Sequence, residues 1–299
     1  MSLIITSLEQ GLIFAILAMG VFLTYKVLDI SDLSVEGTFP FGAFIFARFI
    51  TMGFSPIVST LLAFCFGSLA GLMTSILFIK LKIKPLLAGI LTMTMLYSLN
   101  LRINGKANIP LFSYDSVFDL GSTLLVLGIV VLVIKVLLDQ FLKTETGYLL
   151  IATGDNETLV KSLGSSSNKY KILGLMLANG LVALSGALMA QYQGFADITM
   201  GASIIVVALA SIIIGDTIKK NSSIIKNTTR AILGAVIYKI MGGIAIDLGL
   251  APTDLKAISA IIVIVFIAYN NFEVDLLGIK KLKEGRKSHA KNTKPIKEF

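Results

Sequence analysis

KTETGYLLIATGDNETLVKSLGSSSNKYK, residues Lys143 to Lys171, is a polar island in a very apolar chain. Runs long enough to cross a bilayer flank it on both sides. The whole chain is 55% hydrophobic and only 15% charged, against roughly 25% charged in a soluble domain. Such a deficit over 299 residues reads as an all-α polytopic membrane protein. Lipid offers no partner to an unsatisfied backbone, so the spans are helices. A membrane protein this sparing with charge places some thirty mostly polar residues mid-chain only where an element must stand in water.

Spans are expected near 9–28, 37–52, 56–79, 85–103, 118–139, 170–191, 198–218, 230–249 and 254–270. A span takes about 20 residues, so about nine transmembrane helices fill the length and leave no room for a second globular domain. The expected division is a membrane domain over 1–278, with the island at 143–171 as a cytoplasmic loop, and a basic tail over 279–299.

Charge sets the orientation. One series of loops holds Lys26, then Lys80, Lys82 and Lys84, then Lys143, Lys161, Lys169 and Lys171, then Lys219, Lys220, Lys226 and Arg230; the tail is basic as well. The other series holds little more than Arg102, Lys106 and Lys256. Basic loops stay inside, so the tail is cytoplasmic, and nine spans then put the N-terminus outside. Met1 to Gln10 carries no Lys or Arg and does not read as a signal peptide. The formal charge of +8 serves topology rather than nucleic-acid binding, because it is placed between spans and in the tail. Cys65 lies alone in an apolar run and His289 alone in the tail, which excludes an intrachain disulfide and a cysteine or histidine metal cluster.

The second span opens DLSVEGTFPFGAF, with Asp32, Glu36, Gly37, Pro40 and Gly42 close together. Charge at membrane depth is costly unless it lines a cavity. Two readings stand: a broken or re-entrant second helix, or a cytoplasmic loop followed by an ordinary short span. Elsewhere small residues recur at helical spacing, as Gly67 with Gly71, Gly186 with Ala190, and Ser211 with Gly215, the pattern of closely approaching helix backbones.

Inside the island, Asp155 is a good N-cap and Gly164 a good stop for a two-turn helix. Leu159, Val160 and Leu163 share one face, with Glu157 in the first turn and Lys161 in the last. That face suits a groove in a partner protein, or equally the membrane surface.

The order of these pieces resembles the permease subunits of branched-chain amino acid ABC importers and the related ribose-type permeases. The likeness is carried by Ala152 with Gly154, Asp155 and Asn156, then Leu163 and Gly164, then Ala178, Asn179 and Gly180, then Ala183 to Leu188. GALMAQYQGFADITMG, ALASIIIGD and the N-terminal GLIFAILAMGVFLTYKVLDISDLSVEGTFPFGAF extend it across most of the chain. The nearest subgroup is the permeases paired with aromatic amino-acid binding lipoproteins. One departure is the loop from Asp216 to Arg230, where the family's glycine-rich turn is replaced by lysines.

The resemblance implies a bacterial cell-membrane permease, not an enzyme. It implies that Gly154, Asp155, Asn156, Leu159, Val160, Leu163 and Gly164 dock on ATPase subunits. It also implies a second permease chain, in a dimer of like chains, and an external or periplasmic solute-binding protein that delivers a small solute, an amino acid. This chain has no GxxxxGK[ST] loop, so ATP and Mg are expected on the partner ATPase and no cofactor here.

Candidate pathway residues are Asp32, Glu36, Asn179, Gln191, Tyr192 and Gln193. Each has a structural alternative: Asp32 and Glu36 as stabilisers of a helix start, Asn179 as a bond between helices, and Gln191, Tyr192 and Gln193 as interfacial anchors. Lys239 would pair with Asp247 or reach to an interface. Thr92 and Thr94 read as packing residues. An ion-gradient-driven secondary transporter is the competing reading, weakened by an odd span count and scarce midplane acids.

Overall fold

The computed structural model describes residues 2–218 and 227–249, with a few helical positions between 257 and 268. Most of the expected ninth span, the basic tail and most of the loop between Asp216 and Arg230 lie outside the described residues.

Proline and serine punctuate the helices where the expected boundaries lie. α3 (Pro56–Ile79) and α4 (Pro85–Asn104) both start on a proline, whose missing N–H costs nothing in a first turn. Ser55 caps α3 by accepting from the Val58 N–H, and Gly105, at φ 69°, ends α4. The others are α1 (Ser2–Phe22), α2 (Val35–Thr51), α5 (Thr123–Phe141), α6 (Glu145–Asp155), α7 (Glu157–Ser162), α8 (Ser167–Gln193), α9 (Ile204–Ile218) and α10 (Asn227–Asp247). Two short strands, β1 (Asn108–Pro110) and β2 (Phe195–Asp197), pair antiparallel and tie the end of α4 to the end of α8. Among the described residues, seven helical segments are long and apolar enough to cross a membrane.

Of the eight expected spans that lie within the described residues, α2 is the one not among the seven. Its 17 residues rise about 25 Å, short of the roughly 30 Å of a hydrocarbon core. It compensates by being enclosed, packed between α8, α3 and α4. The helix runs unbroken through Pro40. The irregular backbone lies before it: α1 ends in a π turn (Leu23–Val27), Asp29 adopts φ 53°, and the chain continues non-helical to α2. Irregular backbone survives at membrane depth only inside protein. Accordingly Leu28, Ile30, Asp32 and Ser34 are buried.

α8 is the central post, with 78% of its apolar window buried, against α1, α2 and α3. The small residues let these helices touch backbone to backbone. A Cβ at Gly67 or Gly71 of α3 would collide with α8 at Ala183 or at the Leu175 carbonyl. One at Gly42 of α2 would strike the Ala183 carbonyl, and one at Gly186 of α8 the Phe39 carbonyl. The Ser211–Gly215 pair does the same between α9 and α10, where Gly234 meets the Ser211 carbonyl. Lys239 of α10 turns to α1 rather than to Asp247: its ammonium sits 3.7 Å over the Phe14 ring and 3.5 Å from Gln10 Oε1.

Candidate translocation site and coupling surface

The island folds into two helices rather than one. α6 ends at Asp155, so the N-cap of α7 is Asn156, whose Oδ1 accepts from the Leu159 N–H at 3.1 Å. Asn156 takes extended backbone and forms the junction between the helices. Gly164, at φ 76°, stops α7 as its sequence suggests. The expected apolar face splits. Val160 is fully buried, while Leu159 and Leu163 are 49% and 64% exposed and Tyr148 of α6 is 62% exposed. Among the described residues about half or more of each of these three residues is left uncovered.

α7 is pinned from below by Glu157. Its carboxylate accepts from Lys161 at 2.8 Å, Lys171 at 2.7 Å and Ser167 at 2.9 Å, which joins α7 to the first turn of α8. The hydrogen bonds from Lys161, then Lys171 and Ser167, pull the carboxyl from its ordinary 4.5 down to about 2. A lowered folded pKa stabilises the attachment fully above the ordinary value, and the contribution disappears as pH falls through the folded one. The protection factors of the α7 amides in the detergent-solubilised protein, taken against the intrinsic exchange rate at each pH, should therefore fall between about pH 4.5 and about 2. In Glu157→Gln, that pH-dependent fall should be absent.

α6 sits on the π turn. A Cβ at Gly154 would collide with the Val27 carbonyl, so glycine here serves contact within this chain. On the neighbouring side, Lys26 pairs with Asp216 of α9 at 2.7 Å. The π turn is thus held between the island and α9, and the connection that follows it leads into the core.

There, Asp32, Ser34, Thr38 and Asn179 form one closed network. Asn179 Nδ2 donates to Asp32 Oδ2 at 2.9 Å and to the Leu175 carbonyl at 3.1 Å. Its Oδ1 accepts from Ser34 Oγ at 3.0 Å and Thr38 Oγ1 at 2.7 Å. Asp32 Oδ1 accepts from the Ser34 N–H at 2.9 Å. All four residues are buried. Gln191 is satisfied in the same way: Nε2 donates to Thr60 Oγ1 and the Ala187 carbonyl, and Oε1 accepts from the Val117 N–H. The Tyr192 hydroxyl donates to Glu9 Oε2 at 3.0 Å. Gln193 Oε1 is buried with no partner among the described residues.

Glu36 stands apart from these. In the first turn of α2, it borders a cavity of about 360 Å³ between α2, α4 and the turn from Ile198 to Ala202. Gly37 and Gly201 shape it. A Cβ at Gly37 would press on Met93 Cα at 2.7 Å, and one at Gly201 on the Glu36 carbonyl. That carbonyl lacks its helical donor because residue i+4 is Pro40. The opposite wall is α4, with Met93, Thr94, Tyr97 and Asn100. Thr92 packs inward and bonds Thr74 at 3.0 Å, but Thr94, Tyr97 and Ser98 are exposed along one face of this spanning helix. Sequence reasoning missed Tyr97 and Asn100. The available signal was the Thr94, Tyr97, Ser98 spacing of i, i+3, i+4, a polar stripe in an otherwise apolar span. Among the described residues no group of three or more His, Cys, Asp or Glu could hold a metal ion.

The comparisons agree with this architecture. The family described as branched-chain amino acid transport system, permease component, matches residues 3–268. The chain is 50% identical over 277 residues to the tyrosine transport system permease protein of Clostridioides difficile, covering 92% of this chain and 94% of that one. It is 25% identical to the ribose import permease protein of Haemophilus influenzae, over 93% and 87% of the two chains. In fold it is similar to PsaBC from Streptococcus pneumoniae in complex with Fab: TM-score 0.51, 19% identity, covering 87% of this chain and 89% of that one. A bundle of spanning helices around α8, with a polar island between α5 and α8, is a multi-pass protein of the bacterial cell membrane, and this chain belongs to the permease family of the branched-chain amino acid ABC transport systems.

Proposed function

We propose that this chain is one half of the translocation unit of an ATP-driven importer for an amino acid, with an aromatic amino acid such as tyrosine the first solute to test. The similarity to the tyrosine transport system permease protein supports the solute class. A second copy of the chain completes the pathway, an external binding protein delivers the solute, and ATP and Mg act on separate ATPase subunits. The chain crosses the membrane nine times, with the N-terminus outside, and the tail over 279–299 is cytoplasmic.

The observation that carries this reading is the uncovered apolar pair Leu159 and Leu163 on a helix capped at both ends and salt-bridged to α8. A rigid, exposed apolar knob in a cytoplasmic loop fits insertion into a groove of a partner. Asp155, Asn156 and Gly164 border the knob, whereas Val160 and Gly154 anchor it from within. When the ATPases close, α7 moves with them. α6 carries the displacement through Gly154 to the π turn, and the connection from Leu28 to Ser34 carries it to the Asp32–Asn179 network and to Glu36. The solute path follows α2 and α4. Asn179, Gln191 and Tyr192 hold the bundle beside it.

Purification of the affinity-tagged chain from its native membranes in mild detergent tests the assignment. An ATP-binding subunit with ATPase activity should co-purify. Purification of the chain without one would remove the main support for the reading and favour a gradient-driven carrier.

A further inference from the structure

Asn100 is 0% exposed, and neither its Nδ2 nor its Oδ1 has a partner among the described residues. A buried, unpaired amide is destabilising and rare in folded proteins. Its neighbour one turn along shows what the bundle does with an amide it needs structurally: Asn104 Nδ2 donates to the Phe44 carbonyl at 3.0 Å. Asn100 instead lines the 360 Å³ cavity, opposite Glu36. Glu36 receives a hydrogen bond from the Ser203 N–H, delivered by a residue held at φ 66°, a left-handed conformation that serine seldom adopts. The cavity's lining thus includes a carboxylate on α2 and, on α4, an unpartnered amide and the Tyr97 ring. Its volume lies within the roughly 300–1,000 Å³ of small-molecule sites.

We infer that this cavity is a solute-binding subsite of the permease itself, taking a zwitterionic amino acid with its ammonium on Glu36 and its carboxylate or side-chain polar group on the Asn100 amide. The inference rests on the importer reading above and adds the site, its residues and its selectivity for a cationic amine. A carboxylate lining the path rejects simple anions, so the permease adds a check of its own to that of the binding protein. The unpaired amide is repaired only when solute arrives, which makes the occupied state differ from the empty one at the junction of α2 and α4.

The test uses the importer assembled with its ATPases in proteoliposomes, with Cys65 replaced by serine and a reporter Thr94→Cys. Labelling of the introduced thiol by a membrane-impermeant maleimide is measured in the presence and absence of a mixture of the common L-amino acids. The rate should fall with the mixture present, and should not fall with 3-(4-hydroxyphenyl)propionate, which keeps the ring and carboxylate of tyrosine but lacks the amine. Loss of a charged hydrogen bond costs about 1.5–3 kcal/mol, so Glu36→Gln should raise the protecting concentration roughly tenfold or more. Asn100→Leu should raise it severalfold while the ATPases stay bound. Equal protection by the deaminated analogue, labelling without protection, or no labelling in a complex that transports would each overturn the subsite. The last two would leave the permease reading intact, and that reading fails separately if no ATPase co-purifies.

Discussion

Replacing Asn179 by leucine should cost about 3–5 kcal/mol, the range for removing one member of a buried charged or fully hydrogen-bonded set. The side chain is the hub of a network with no spare partners. Its loss strands Asp32 Oδ2 and Ser34 Oγ in a site that water does not reach. Thr38 falls back on the Ser34 carbonyl, which it already contacts at 3.0 Å, so the carboxylate bears most of the damage. Thr38→Ala removes one of two donors to Asn179 Oδ1 and should cost only about 1 kcal/mol. Thermal melting of the solubilised protein separates the two: a fall of roughly 10 °C for Asn179→Leu and a few degrees for Thr38→Ala. Comparable melting of the two variants would show that the network does not hold α2 and α8 together.

The double substitution Leu159→Asp/Leu163→Asp should abolish capture of the ATPase while leaving the permease folded. Both side chains point away from their own chain, so their exchange for carboxylates should change its stability by no more than about 0.5 kcal/mol, the usual range for surface sites. Central apolar anchors of an interface are worth about 2 kcal/mol or more each, and loss of one weakens binding by roughly thirtyfold. Val160→Asp would behave differently. Val160 is fully enclosed, so a carboxylate there should loosen α7 from α8 and lower stability as well as binding. An ATPase that remained bound to the double variant would leave the family assignment standing and move the docking surface elsewhere, with exposed Tyr148 the next candidate.

The helical framework was legible because each span pays for its own burial in apolar residues, and hydropathy measures that directly. The expected span at 56–79 coincides with α3, and the one at 85–103 falls one residue short of α4. The GxxxG pair of α3 marked a close crossing, and Gly67 and Gly71 make it against α8. What escaped is what long-range pairing decides. β1 and β2 are three residues each and exist because Asn108–Pro110 meets Phe195–Asp197 across the bundle, which no local pattern announces. Of the two readings left open for the second span, the break falls before the helix rather than in it: the irregular backbone lies between α1 and α2, and α2 is a short continuous helix with Pro40 inside it.

The site was legible in kind and blurred in detail. Asp32, Glu36 and Asn179 stood out as polar groups in apolar runs, but their roles depend on partners 141 or more positions distant in the Asn179 network. Asn179 finds four partners and has no capacity left; Asn100 finds none among the described residues and borders space. From residue type and spacing the two asparagines are equivalent. Similarly, Leu159, Val160 and Leu163 share a face by periodicity, yet the folded chain buries Val160 and leaves Leu159 and Leu163 exposed.

Uptake in proteoliposomes containing the permease and its ATPases, with the external binding protein supplied, tests the central claim most directly. Labelled L-tyrosine, with the other common amino acids as parallel probes, is offered outside, and ATP and Mg are enclosed on the ATPase side. An importer permease predicts accumulation that requires hydrolysable ATP and survives ionophores that collapse proton and sodium gradients. Accumulation that proceeds without ATP and vanishes with the ionophores would contradict it and identify a gradient-driven carrier.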